Sequence, residues 1–256
     1  MAAPMLAGVS LEDRVALVTG ATRGIGRATA ELLAARGARV LVTGRDVERG
    51  QAVVEAVRAA VGSAHFLAAD LTDAPSCRAL AAQATELAGK VDILINNAAT
   101  AAYGPTESIP EADFDACYAL NVKVPFYLVG ALAPAMATRG HGVIVNVSTM
   151  VASFGTVGSA VYASSKAALN LLTKSWAAEY GPRGVRVNAV APGPTLTESA
   201  DALFGEDRLN KMMSNAPARR VAAPDEIAQT IAYLASDQAS FIHGTIVPVD
   251  GGRSAV

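Results

Sequence analysis

Cysteine, histidine and aromatic residues are scarce in this 256-residue sequence, which has two cysteines, three histidines and one tryptophan. Cys77 and Cys117 both fall in predicted helices and show no metal-ligand spacing. We therefore expect two buried free thiols, with neither a metal site nor a disulfide framework. Free thiols are typical of a reducing compartment, so the sequence favours a cytoplasmic protein.

The sequence also lacks an excess of charge of one sign and a long apolar run. With 21 basic and 23 acidic residues the net charge is −2, so we expect no binding to nucleic acid or to an anionic membrane. Alanine inflates the 52% hydrophobic content, and no apolar run approaches the roughly 20 residues that span a bilayer. Residues 1–10 carry no basic region and are predicted to be a flexible tail, not a signal peptide.

Short segments rich in β-branched residues alternate with longer alanine-rich segments along the whole chain. This alternation predicts an α/β fold: one Rossmann-like, doubly wound parallel sheet of about seven strands, with helices on both faces, in a single domain over 1–256. The predicted strands are 15–19, 39–43, 65–68, 91–96, 143–147, 185–190 and 245–249. The predicted helices are 24–36, 46–60, one capped by Asp73, 114–138, and one that contains Tyr162 and ends near Tyr180.

A glycine-rich turn follows the first predicted strand and opens the first predicted helix. Its glycines are spaced as Gly20-x-x-x-Gly24-x-Gly26. Glycines at this place let a backbone approach a pyrophosphate closely, and the helix N-terminus favours its negative charge. The turn predicts a dinucleotide site that also includes Thr22, Arg23 and Ile25.

The end of the second strand predicts which dinucleotide is bound. A carboxylate there would bind the ribose of NAD, but this chain has Gly44 and Arg45. Arg45 and Arg23 are suited to hold a 2′-phosphate through charge-assisted hydrogen bonds, so we predict NADP rather than NAD. Asp46 is either a ribose acceptor or the N-cap of the next helix.

Tyr162 and Lys166 lie four residues apart on a predicted helix, which places both side chains on one face. An ammonium beside a phenol lowers the pKa of the phenol. We therefore predict that Lys166 lowers the pKa of Tyr162 and that Tyr162 acts as a general acid or base.

These segments in this order resemble the short-chain dehydrogenase/reductase family. The resemblance runs from Thr19 to Gly252 and rests on the glycine turn, Asp70, Asn96-Asn97-Ala98, Asn121, the Tyr162–Lys166 pair, Pro192-Gly193 and Val249-Asp250-Gly251-Gly252. It implies one domain that holds cofactor and substrate and transfers hydride between a nicotinamide and a carbonyl or alcohol. It also implies a homotetramer in which the two long helices pair with copies of themselves.

The resemblance assigns roles to further residues. Asp70 and Leu71 would hold the adenine, and Asn97 and Ala98 would line the ribose and nicotinamide side. Pro192, Gly193 and Thr195 would hold the carboxamide, with a hydroxyl from Thr197, and Lys166 would also bind the nicotinamide ribose. Asn121 would hold a water that relays protons to Lys166.

The chain departs from the family pattern at two places. Ala99 stands where the family has glycine, which narrows the site near the nicotinamide. The family's substrate-orienting serine lies 13 residues before the tyrosine, which here is Thr149, while Ser148 precedes it. Neighbouring strand residues point to opposite faces, so only one of the two hydroxyls can orient the substrate, and we favour Thr149.

The substrate is expected to lie against segments 150–159 and 103–105 and under a lid of helical pieces at 195–220. The apolar residues there favour an apolar or cyclic ketone or alcohol. A 3-oxoacyl-carrier-protein reductase is an alternative, with Arg139 and Arg183 as contacts for an acidic carrier, and a broad alcohol, sugar or steroid oxidoreductase is another. From a different class, a non-catalytic dinucleotide-sensing protein is disfavoured because both Tyr162 and Lys166 are present.

Overall fold

Seven parallel strands form the centre of the structure, a computed structural model that describes residues 9–256. Residues 1–8, and with them most of the predicted tail at 1–10, lie outside the described residues. The spatial order of the strands is β3-β2-β1-β4-β5-β6-β7. The strands are β1 (Val15–Val18), β2 (Arg39–Gly44), β3 (Ser63–Ala68), β4 (Ile93–Asn96), β5 (Gly142–Val147), β6 (Val185–Pro192) and β7 (Ile246–Val249).

Helices cover both faces of this sheet. They are α1 (Gly24–Ala35), α2 (Val47–Ala59), α3 (Ala74–Ala88), α4 (Glu111–Tyr118), α5 (Val124–Thr138), α6 (Ala160–Tyr180), α7 (Glu198–Phe204), α8 (Glu206–Met212) and α9 (Pro224–Ala235). Leu33 of α1, Val53 of α2 and Ile227 of α9 belong to the core on one face. Leu80 of α3 and Leu128 of α5 belong to the core on the other. The predicted doubly wound parallel sheet of seven strands is confirmed.

The strands are apolar over almost their full length because both faces of the sheet are covered. Every residue of β1, β4, β5 and β6 is buried. The order of strands reverses between β1 and β4, which lie side by side. Parallel sheets leave a crevice outside the carboxyl ends of the strands at such a reversal.

The helix predicted over 114–138 is in fact two helices. α4 and α5 are joined by a π-helical turn, Ala119–Lys123, which contains the buried Asn121. Together the stretch Glu111–Thr138 has the length and apolar composition of a membrane-crossing helix. In the described structure Leu132 and Met136 of α5 are buried in the core, and we attribute the apolar composition to this packing.

Two aspartates proposed from the sequence as helix N-caps have that role in the structure, and one helix was not predicted. The carboxylate of Asp73 accepts a hydrogen bond from the Ser76 N–H at 2.9 Å and begins α3 as predicted. Asp46 accepts from the Arg49 N–H at 3.0 Å, so it is the N-cap of α2. α9 has no counterpart among the predicted helices.

A buried polar chain connects β4, β5 and α6. The Asn96 amide donates to Asn146 Oδ1 at 2.8 Å, and the Asn146 amide donates to the Thr173 hydroxyl at 2.8 Å. Thr173 in turn donates to the Leu169 carbonyl within α6. All three polar side chains are buried, so the chain fixes α6 against the two central strands.

Candidate active site

A cleft of about 640 Å³ opens at the carboxyl ends of β1, β2 and β4. Most of the predicted cofactor residues meet there, although they come from five separate segments of the chain. Those that line the cleft are Gly20, Thr22, Arg23, Gly24, Ile25, Gly26, Arg45, Asp70, Leu71, Asn97, Ala98, Ala99 and Thr197.

The glycine turn has a backbone that only glycine fits well. Gly20 and Gly24 have φ of 62° and 53°, in the left-handed region. A Cβ on Gly20 would lie 2.9 Å from Ala98 Cα, and a Cβ on Gly26 would collide with the Gly20 carbonyl and the Asn97 amide. No side chain caps the first N–H groups of α1, so these groups and the bare backbone fit a pyrophosphate.

Asn97 lines the cleft and also has a structural role that the sequence did not predict. Its amide donates to the carbonyls of Thr19 and Gly20 at 2.9 and 3.0 Å. The Thr19 hydroxyl accepts from the N–H groups of Asn97 and Ala98, both at 3.0 Å. The amide of Asn97 is thus committed to holding the glycine turn, while the residue still lines the cleft.

The end of β2 places the guanidinium of Arg45 at the cleft, and the carboxylate that follows it is already engaged in a helix cap. Arg23 and Arg45 are both exposed, and Arg45 Nε lies 3.9 Å from the Asp70 carboxylate. Asp46 is engaged as the N-cap of α2. A Cβ on Gly44 would lie 2.6 Å from the Thr22 methyl, which explains why no side chain stands at the position of an NAD-type carboxylate.

The Tyr162–Lys166 pair lies on α6, with Lys166 buried and Tyr162 half-buried. Thr149 follows β5 in extended conformation, and its side chain lies close enough to the Tyr162 phenol to lower the pKa of that phenol. The Ser148 hydroxyl instead lies 3.5 Å from the Lys166 carbonyl. The two neighbouring hydroxyls therefore point to different sides, and Thr149 is the one that faces Tyr162.

The net shift of the Tyr162 pKa is upward, so the predicted lowering by Lys166 does not dominate it and stays a prediction. Burial raises the pKa of Tyr162 to about 12, and the nearby Thr149 side chain offsets only part of this effect. Burial also lowers the pKa of Lys166 to about 8, and its Nζ donates to the Val147 carbonyl at 2.7 Å. Sequence spacing puts the two groups on one face but does not register the cost of desolvating them.

Replacement of Lys166 by methionine is expected to change how stability depends on pH. Between the pKa of about 8 in the folded protein and the ordinary 10.5, the unfolded chain binds more protons. The wild type therefore gains stability relative to Lys166→Met as pH rises through this window, on the order of 3 kcal/mol in total. Urea unfolding of both proteins across the window measures the difference, and parallel curves would contradict the assigned burial cost.

A second prediction separates Thr149 from Ser148. Thr149→Val removes the hydroxyl that faces Tyr162 and is expected to reduce kcat/KM about tenfold or more, the value of one hydrogen bond. Thr149→Ser keeps the hydroxyl and should retain most activity, and Ser148→Ala should have a small effect. Steady-state kinetics of the three variants test this, and a larger loss in Ser148→Ala would shift the orienting role to Ser148.

Asn121 ties three segments together at the π-helical turn. Its Oδ1 accepts from the Thr100 N–H at 2.9 Å, and its amide donates to the Thr100 carbonyl at 2.8 Å and the Ser165 hydroxyl at 3.0 Å. Cys117 Sγ lies 3.3 Å from the same amide. Both amide hydrogens are engaged with protein atoms and are not available to a water molecule. The relay water assigned to Asn121 stays a prediction.

The predicted carboxamide segment lies outside the lining of the main cleft. Pro192 ends β6, and the Gly193 N–H donates to the Val249 carbonyl at 3.0 Å. The Thr195 hydroxyl donates back to the Gly193 carbonyl, also at 3.0 Å. The Thr197 hydroxyl accepts from the Ala200 N–H as the N-cap of α7 and can still donate toward the cleft.

Sequence reasoning missed one wall of the cleft. Ala116, Ala119 and Leu120, on α4 and its π-helical turn, line the cleft beside the predicted residues. Nothing in the sequence spacing of these apolar residues identifies them as part of the cleft. Among residues 9–256, no three acidic, histidine or cysteine side chains cluster to hold a metal ion, and both cysteines are free and buried.

The cleft lies at the reversal of strand order, where doubly wound sheets bind dinucleotides. By fold and by site, the molecule is a dinucleotide-binding α/β protein. A family model described as enoyl-(acyl carrier protein) reductase matches residues 20–254. The cis-4-hydroxycyclohexanecarboxylate dehydrogenase of Sinomonas cyclohexanicum is 40% identical over 253 residues, which cover 97% of this chain and 100% of that protein.

Solved structures agree with this assignment. A short chain dehydrogenase/reductase family protein is 45% identical with a TM-score of 0.89, covering 96% of this chain and 100% of the other. A 7α-hydroxysteroid dehydrogenase complexed with NADH and 7-oxo glycochenodeoxycholic acid is 36% identical with a TM-score of 0.91, covering 95% of each chain. A candidate NAD(P)-dependent gluconate 5-dehydrogenase from Beutenbergia cavernae, with NADP bound at low occupancy, is 38% identical with a TM-score of 0.91, covering 96% and 99%.

The chain belongs to the short-chain dehydrogenase/reductase family. It is an oxidoreductase of the kind that binds a nicotinamide dinucleotide and acts on CH–OH or C=O groups of small molecules. The resemblance drawn from the ordered motifs is thereby confirmed.

Proposed function

We propose that the protein transfers hydride between NADP(H) and a ketone or secondary alcohol, with Tyr162 as the general acid or base. The observation that carries the proposal is the convergence of Tyr162, Lys166 and Thr149 at the end of β5, where the buried Lys166 donates to the Val147 carbonyl and the Thr149 side chain approaches the Tyr162 phenol. Two hydroxyls that face each other provide one donor and one orienting group for a single carbonyl oxygen.

The protein groups supply position and a proton. When bound, the nicotinamide of NADPH supplies the hydride, so that reduction of a ketone consumes one hydride and one proton. Tyr162, with a pKa near 12, is protonated at neutral pH and gives its proton to the oxygen as negative charge develops there. Thr149 donates a hydrogen bond to the same oxygen. Lys166, one helical turn from Tyr162 on α6, donates to the Val147 carbonyl.

The choice of NADP rests on charge at the end of β2. Arg45 and Arg23 lie at the cleft. Asp46, the carboxylate that directly follows Arg45 in sequence, is the N-cap of α2. A doubly charged 2′-phosphate is attracted by both guanidinium groups. Solved relatives bind NADP in one case and NADH in another, so family membership alone does not set this preference.

We also propose a cytoplasmic homotetramer. Phe114, Phe126 and Leu171 expose large apolar surfaces on the outer faces of α4, α5 and α6. These are the helices that the family resemblance pairs with copies of themselves. The two free thiols suit a reducing compartment.

The acyl-carrier alternative is supported by the description of the matching family model. The two arginines predicted to contact a carrier do not support it. Arg139 donates to the Val91 carbonyl at 2.7 Å, and Arg183 stacks on the Tyr180 ring at 4.8 Å. Both precede strands, at the amino edge of the sheet and opposite the cleft, and this position speaks against them as carrier contacts for a substrate in the cleft.

Oxidation of NADPH and NADH against a panel of cyclic ketones, acyclic ketones, sugar ketones and a 3-oxoacyl thioester tests the proposal. We expect turnover with NADPH and a ketone. Turnover with the thioester alone would favour the acyl-carrier alternative. Tight NADPH binding without turnover of any substrate would favour the non-catalytic sensing protein.

A further inference from the structure

Tyr103 lies between the proposed general acid and the proposed lid. It belongs to the loop that follows β4, and its ring centroid is 5.5 Å from that of Tyr162. On its other side, the Phe204 ring of α7 meets it edge-on at 5.4 Å. Tyr103 is thus the one ring that contacts both Tyr162 and the segment predicted to cover the substrate.

The loop that carries Tyr103 is fixed on both sides of the ring. Ala102 is buried in a small apolar cluster with Cys117 and Val161. The Gly104 N–H donates to the Gly158 carbonyl at 2.8 Å, which ties this loop to the segment before α6. The Tyr103 ring is therefore held in place by its chain neighbours.

The Phe204 ring is also held in place, by a contact within the proposed lid segment 195–220. The Arg208 guanidinium lies over its ring at 5.3 Å, on the helix that follows α7. Arg208 covers a face of Phe204, while Phe204 and Tyr103 meet edge to face. The two rings form one continuous aromatic wall next to Tyr162.

Part of this wall is open to a ligand. Tyr103 keeps 40% of its surface exposed, although it contacts two other rings. An ordinary tyrosine is already neutral at pH 7, and partial burial and the nearby Tyr162 raise the pKa of Tyr103 further. What Tyr103 offers a substrate is a neutral aromatic surface.

We propose that Tyr103 and Phe204 form a two-ring wall that selects rigid cyclic ketones and alcohols over acyclic ones. The inference rests on the proposed function and names the substrate class for that same site. A cyclic ligand places its flat side on the wall without losing rotational freedom, whereas an acyclic chain of equal size must freeze several rotors. The rotational freedom that only the acyclic chain loses is expected to give a preference of about tenfold for the cyclic ligand.

The test compares cyclohexanone with hexan-2-one, two ketones of equal carbon number, as substrates of the full-length protein with NADPH. In the wild type kcat/KM is expected to be higher for cyclohexanone. Tyr103→Ala should remove most of this roughly tenfold preference through a rise in KM for cyclohexanone, with kcat changed less. Tyr103→Phe should keep the preference because the ring remains.

Three further variants distinguish loss of the aromatic ring from loss of side-chain volume and from general damage to the fold. Tyr103→Leu keeps apolar volume without a ring and should behave like Tyr103→Ala. Tyr233→Ala removes a tyrosine of almost equal exposure, 39%, on α9 and should leave the ratio unchanged. Phe204→Ala should lower the ratio in the same direction as Tyr103→Ala.

Each contrary outcome overturns the inference. Equal losses for both ketones in Tyr103→Ala, a loss in Tyr103→Phe as large as in Tyr103→Ala, or a wild type without preference would each do so. These results leave ketone reduction intact and so differ from failure of the proposed function, in which neither ketone nor any other carbonyl is reduced.

Discussion

Turnover of a ketone by Tyr162→Phe is expected to fall at least about a hundredfold, the usual contribution of a positioned general acid. The substitution removes only the phenolic oxygen, which the structure pairs with Thr149, and leaves the ring that packs on Tyr103. Binding of NADPH should persist because the cleft residues are unchanged. Single-turnover kinetics with saturating NADPH separate the chemical step from binding.

Tyr118→Phe is the matched control for this experiment. The hydroxyl of Tyr118, at the end of α4, donates to Ser164 Oγ at 2.9 Å on the exposed side of α6. Loss of that hydrogen bond should change turnover little. Near-normal turnover in Tyr162→Phe, or equal losses in both variants, would remove Tyr162 from its proposed role.

Affinity for NADPH is expected to fall roughly ten- to a hundredfold in Arg45→Ala, while affinity for NADH stays almost unchanged. A hydrogen bond to a charged group contributes about 1.5–3 kcal/mol, which corresponds to this range. Arg45 also lies 3.9 Å from Asp70, so its removal leaves that carboxylate without its neighbouring cation and adds repulsion of the phosphate. Calorimetric titration with both cofactors measures the two affinities.

Arg27→Ala serves as the control for cofactor choice, since Arg27 is an exposed arginine of α1 that pairs with Glu31 at 2.8 Å. It should leave both affinities unchanged. Gly44→Asp is a poorer test than Arg45→Ala because its Cβ would press on the Thr22 methyl. A wild type that prefers NADH, or equal weakening of both cofactors in Arg45→Ala, would contradict the preference for NADP.

The sheet could be predicted from the sequence because its strands are buried on both faces and read as short runs of β-branched residues. The two misses in the helices have separate causes. The π-helical turn around Asn121 leaves the apolar pattern on either side intact, so periodicity alone does not show it. α9 does carry a start signal, since Pro224 is its first residue and the Glu226 carboxylate accepts from the Ala223 N–H at 2.9 Å.

The motifs place most of the cofactor cleft, since the glycine turn, Asp70 and Asn97 follow strands that end at one edge. They do not predict pKa values, because the burial of Tyr162 and Lys166 depends on packing from several elements. The motifs also do not distinguish an arginine at the cleft from an arginine at the amino ends of the strands. Arg45 and Arg139 are both single arginines between apolar segments, and only the topology distinguishes them.

The buried chain of Asn96, Asn146 and Thr173 has a consequence for engineering. It holds α6 in register with β4 and β5 through hydrogen bonds that involve no residue of the loops at 150–159 or 195–220. Laboratory evolution can therefore randomise 150–157 and 198–220 to change which molecules reach Tyr162, while Thr195 and Thr197 of the cofactor site are kept and the distances among the reacting groups persist. Libraries that also vary Asn146 should yield mostly inactive clones, because an unpaired amide would remain in the core.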